Sequence, residues 1–395
     1  MKRILLPSLL LALPALAFAQ GALTPPAGAF SGGAPTATMK TLDQVEPRTP
    51  IGKVGGSTEP IVITKSGSYV LLGDLSVTSG GAITIQNNDG TAINITIDLN
   101  GFKVSASGTA IWAIGTFGEI TVRNGIIEKA SDGIARTGTV RSWHVSDLTV
   151  LKTDSDAISL SPDNSTVSRC TVCETNGDGI AAAVIDHCLV YNCYRTALSG
   201  AVVTNSFGDG NDAGIVANTV INSSGKSLGG IGIDTTDHSN PVDPTKTGTA
   251  ENCVGVSFSG IGLKTGTATN CTGHSTSGTG LEADNATNCR GTSSLGVGLD
   301  TNSGANGYTG TATGCTGISK TDHGLIASVA TNCAGVTTDK SKIAVWVSGT
   351  ATGCRGTNTG ATGTGDQTAI SCTIAVACTA TTGTINAGSK QLGTP

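Results

Sequence analysis

A cysteine recurs at positions 253, 271, 289, 315, 333, 354 and 372, in steps of 18, 18, 26, 18, 21 and 18 residues. The text around it recurs as well: TATNCTG at 267–273, ATNCRG at 286–291, TATGCTG at 311–317 and TATGCRG at 350–356. Leu263, Leu281, Leu299, Leu325 and Ile343 form a second ladder with steps of 18, 18, 26 and 18. Both ladders absorb the same eight-residue excess, which places an extruded loop at 301–310. A unit of 18 residues is too small to bury a core alone. It becomes stable by stacking on copies of itself, one coil per strand spacing.

The local pattern says what the unit is made of. Ile93, Ile95, Ile97 and Leu99 alternate with polar residues, as do Ile120 and Val122, which is strand periodicity. Asn100-Gly101, Asn124-Gly125 and Asp132-Gly133 punctuate these runs as turns. Earlier, larger coils carry the same unit at Asp132-Gly-Ile134, Asp156-Ala-Ile158, Asp178-Gly-Ile180 and Ala197-Leu198. No amphipathic helix follows residue 60. The expected fold is all-β: a right-handed parallel β-helix over 60–382, about fifteen coils and about 70 Å long at the parallel-strand spacing.

Composition agrees. The chain has 56 Gly in 395 residues and 3% aromatics, which suits a narrow cross-section rather than one large core. Charged residues are 13% against about 25% in ordinary domains. With a net charge of −5, this excludes a coiled coil and gives no basic surface for nucleic acid.

At the N-terminus, Met1-Lys2-Arg3, an apolar run to Phe18 and Ala17-Phe18-Ala19 read as a signal peptide over 1–19. A Pro/Gly/Ala/Thr-rich leader (20–59) is expected to cap the first coil, and 383–395 to form a polar tail. The protein is therefore expected to be exported, to the periplasm, the cell surface or the medium, with no membrane span.

The run ITKSGSYV (63–70), INITIDLNGF (93–102), ITVRNG (120–125) and then the serial DGI coils resembles exported bacterial right-handed β-helix repeat proteins of the pectate-lyase-like superfamily. That resemblance implies the fold and export. It spans polysaccharide lyases, glycosidases, epimerases and adhesins, and so implies no single activity.

Candidate chemistry concentrates in the coils from 143 to 195. TDSDAI (153–158) and GDGI (177–180) resemble the polygalacturonase pattern, with Asp154 or Asp156 and then Asp178 as carboxylates for inverting hydrolysis. Gly179 stands where that family has a second Asp. A lyase would draw its base and its cation from the titratable side chains gathered here, His144, Lys152, His187, Tyr191, Tyr194 and Arg195. Trp143, His144, Lys152, Tyr191 and Tyr194 are candidates for holding sugar rings. Asp132, Asp156 and Asp178 recur at one place in successive coils, where Asp-Gly suits the turn. No cofactor is expected beyond a Ca²⁺ that could bridge these three carboxylates.

The ladder cysteines sit at one position per coil, so their side chains point the same way and serve as small core residues. Cys173 and Cys193 lie off the ladder and are the candidate disulfide. The expected function is polysaccharide binding, adhesion or a structural role, with a polysaccharide or envelope component as partner and a homo-oligomer as one assembly. The alternative is a lyase or glycosidase acting on acidic glycans through the coils from 143 to 195.

Overall fold

A computed structural model describes residues 48–87, 89–236, 248–302, 309–360 and 368–390. The expected signal peptide, most of the leader, the last five residues and most of the 301–310 loop lie outside these residues. The described chain is an all-β, right-handed parallel β-helix of about 14 turns, one fewer than the repeat arithmetic suggested. Every registered strand pair is parallel, and each coil contributes to three ladders. In one turn these are Ile180–Ala181, Val184–Asp186 and Leu189–Cys193, pairing with the preceding coil at Ile158–Ser159, Ser165–Ser168 and Thr171–Thr175.

The first ladder carries an unbroken inward column. It runs from Ile61 through Ile83, Ile111, Ile134, Ile158 and Ile180 to Leu198, and then by way of Leu263, Leu281, Leu299 and Leu325 to Ile385. Apart from the partly buried Ile61 at its start, these side chains stack at one strand spacing and are shielded from water, each contributing about 1.5–3 kcal/mol by burial. The coil beyond Leu325 departs from the expected register: its partner is Val345, not Ile343. Two extra residues in the corner at 338–344 push Ile343 off the strand.

The second and third ladders meet at a tight corner held by one left-handed residue per coil. Asp147, Arg169, His187, Asn205, Asn222, Asn252, Asn270, Asn288, Gly314, Asn332, Gly353 and Ala377 occupy it in succession, with φ between 49° and 63°. Asn dominates because its short amide tolerates this region and links coil to coil. Asn270 Nδ2 donates to Asn252 Oδ1 (3.3 Å), and Asn252 Nδ2 to Asn222 Oδ1 (3.2 Å).

The residue after each left-handed position points inward, and there the cysteine ladder lies. It includes Cys170, Cys188, Ser206, Ser223 and Cys253 and ends on Cys378 rather than Cys372, which instead pairs with Ala387. Serine and cysteine do the same work here. Ser206 Oγ donates to Thr204 O and accepts from Cys188 N–H; Cys289 Sγ is bound to Thr287 O and accepts from Cys271 N–H. All twelve cysteines are free thiols. Burial pushes the Cys193 thiol up to about 12 and raises that of Cys378.

The first and last described coils reach beyond the expected boundaries. Thr49–Ile51, in the stretch read as leader, pairs with Gly67–Leu71, and Thr384–Lys390, read as tail, pairs with Thr368–Val376.

Candidate functional site

The cross-section changes midway along the stack. On the third ladder the inward column reads Val104, Ile127, Val150, Val172 and Val190, then Gly208, Gly225, Gly255, Gly273 and Gly291. From Gly208 on, a methyl group at these positions would collide with a backbone carbonyl of the first ladder, as at Gly273 against Gly280 O. The two ladders therefore approach backbone to backbone. At the same place the outer surface loses a residue. Lys129, Lys152, Glu174 and Asn192 form a second left-handed column (φ 54° to 60°), and the register shifts after Val190, where the next strand has no counterpart to Asn192.

That step opens a groove along the third ladder and the corner that follows it. Two hollows of about 570 and 480 Å³ meet at Asn192, Cys193 and Asn211. The first is walled by Lys152, Asp154, Glu174, Asn176 and Tyr194. The second is walled by Asp209, Lys226, Leu228, Val256, Phe258 and His274. One corner position, occupied once per coil, supplies Asn176, Tyr194, Asn211, Leu228, Phe258 and Thr276 in order. Three of these are large and open to solvent: Tyr194 is 66% exposed, Leu228 62% and Phe258 57%. Lys226 Nζ lies 2.8 Å from Asp209 Oδ2, and His274 Nδ1 2.7 Å from Thr292 Oγ1.

The sequence-predicted residues divide among several places. Lys152, Asp154 and Tyr194 line the groove. Tyr191 lies on the outer face of the same ladder, its ring 5.1 Å from that of Phe207. Asp178 and Arg195 form a 3.8 Å ion pair at the corner beside the groove. The recurrent aspartates are engaged mostly between coils: Asp156 Oδ1 accepts the Asp178 N–H of the next coil (2.9 Å), Asp178 Oδ1 accepts the Thr196 N–H of the next (3.0 Å), and Asp132 Oδ2 faces the hydroxyls of Thr109 in the preceding coil and of neighbouring Ser131. Among the described residues no three His, Cys, Asp or Glu side chains converge as a metal site, so the Ca²⁺ bridge finds no ligand set there.

His187 is at the tight corner, on the other side of the third ladder. Its Nδ1 lies 2.7 Å from Asp186 Oδ2. Burial opposes ionisation of that carboxyl, but bonds from Thr204, His187 and Asn205 outweigh it and hold it at about 2. His144 sits 2.9 Å from Ser142 Oγ in a separate hollow of about 440 Å³ with Arg141 and Asn164.

Two expectations are corrected. Trp143 is wholly buried and is no sugar platform: it shares strand parity with Val145, and its indole fills the core above the small Ser165. The bridge between Cys173 and Cys193 is not formed. Cys173 faces outward beside Tyr191, whereas Cys193 faces inward beside Thr175.

Sequence reasoning passed over Asn192, Asp209, Asn211, Lys226, Leu228, Phe258 and His274. A signal was available for two of them: Leu228 and Phe258 are large apolar residues in a Gly/Ser-rich corner where the next coil has Thr276. Comparison with protein-family models, curated proteins and solved structures found no match.

Proposed function

We propose that this is an exported β-helix protein that binds polysaccharide along the groove, serving adhesion or envelope structure. The fold itself is compatible with carbohydrate-binding or structural roles. The observation that carries the reading is the corner column in which exposed Tyr194, Leu228 and Phe258 are interleaved with Asn176, Asn211 and Thr276. A sugar ring has an apolar face and a rim of hydroxyls. Aromatic and aliphatic platforms take the first, and side-chain amides and hydroxyls take the second. Large apolar residues grouped on a soluble surface mark an interaction site.

The test is retention of the purified chain on immobilised polysaccharides, compared with the Tyr194→Ala and Phe258→Ala variants. Both side chains are exposed, so the coils should fold without them. Retention should weaken about tenfold in each variant, the loss of about 1.4 kcal/mol. Equal retention of all three proteins would remove the groove from the account. Release of products, lost in Asp154→Ala, would make the same groove that of a lyase or glycosidase, because Asp154 is the carboxylate of the sequence-predicted set that opens into it.

A further inference from the structure

Resting on that reading, we infer that the ligand is an uncharged, extended polysaccharide lying parallel to the coil axis. The first argument is charge. The groove presents three carboxylates, Asp154, Glu174 and Asp209, against two ammonium groups, Lys152 and Lys226. Lys226 is already paired with Asp209 at 2.8 Å, and the nearby Arg195 lies 3.8 Å from Asp178. A polyuronate brings one carboxylate per sugar. It would meet two carboxylates against the single ammonium of Lys152 in the first hollow and a neutralised cation in the second, and a surplus of like charge opposes binding.

The second argument is direction and spacing. The corner column presents amide, ring, amide, aliphatic, ring and hydroxyl in six successive coils, from Asn176 to Thr276. At one strand spacing per coil these six groups span about 24 Å. The interval between neighbours is close to the length of one sugar unit in an extended chain. A polymer lying along the axis therefore meets an apolar platform or a hydrogen-bonding group at nearly every unit. One lying across the axis meets only a single coil.

The experiment is affinity electrophoresis of the full chain through gels containing galactomannan, mixed-linkage glucan, polygalacturonate or alginate, at low and high salt. The expected result is retardation by at least one of the neutral polymers, unchanged by salt and reduced about tenfold in Phe258→Ala. Asp209→Asn, which releases Lys226, should create retardation by the polyuronates that disappears at high salt. Retardation of the unaltered chain by polyuronates alone would overturn the inference while leaving glycan binding in place. No retardation by any of the four would overturn both.

Discussion

Asp300 shows how a single residue reports on the stack. It lies on the outer face of the first ladder between Glu282 and Ile326, and its Oδ1 accepts the Asn302 N–H at 2.8 Å. Burial pushes its carboxyl up to about 6, and the charges of Glu282 and Asp322 push the same way. Between about pH 4 and 6 the folded chain thus holds a proton that the unfolded chain has released. Stability from this group falls as pH rises through that window, and the cost is complete above it. Asp300→Asn keeps the acceptor and removes the charge. It should raise stability at pH 7 by at most about 3 kcal/mol and change nothing below about pH 4. Denaturant midpoints at the two pH values check this, and an equal gain at both would contradict it.

Residue-scale reading of the sequence succeeded where the pattern of a strand decided the outcome. Trp143 departs from expectation because an indole's suitability for sugar rings does not decide which face of the strand it lies on. In WHVSDLTV (143–150) it is in phase with Val145, so it had to face inward with it. The recurrent aspartates read as local turn residues, but Asp156 and Asp178 each accept an N–H from the following coil and so tie one coil to the next.

At the scale of the element, the decisive feature is the column that changes from valine to glycine after Val190. The composition announced a narrow cross-section, but only the register shows that it narrows midway and that two ladders then touch. Gly291 illustrates the consequence, since an added methyl would meet the carbonyl oxygen of Gly298. Gly291→Ala should therefore destabilise by about 1–3 kcal/mol, as overpacking does. Under the opposite expectation alanine would stabilise the strand by about 0.5–1 kcal/mol. Thermal unfolding of the variant distinguishes the two signs. The cysteine ladder follows the same logic. Its spacing was read correctly as a core column over most of its length. Its last member was missed because unequal corners change the spacing without changing the register, so Cys378 takes the place predicted for Cys372.

At the scale of the whole stack, the repeat made the fold legible: equal steps, strand alternation and small residues admit little else. The groove was half legible. The coils around 143–195 were singled out, and Lys152, Asp154 and Tyr194 do line it. Its continuation through Lys226, Phe258 and His274 was not, because it arises from the narrowing of the coil and from a lost residue after Val190, neither of which is a motif. The central claim is that a polysaccharide lies where the coil narrows. Hydrogen–deuterium exchange of the full chain, with and without a polysaccharide that retains it, tests this most directly. Exchange should slow in the strands Leu189–Cys193, Ser224–Ser227 and Val254–Ser257 and in the corners that follow them, and stay unchanged around Arg141, His144 and Thr166 on the second ladder. Slowing confined to the second ladder, or to the ends of the stack, would contradict the account.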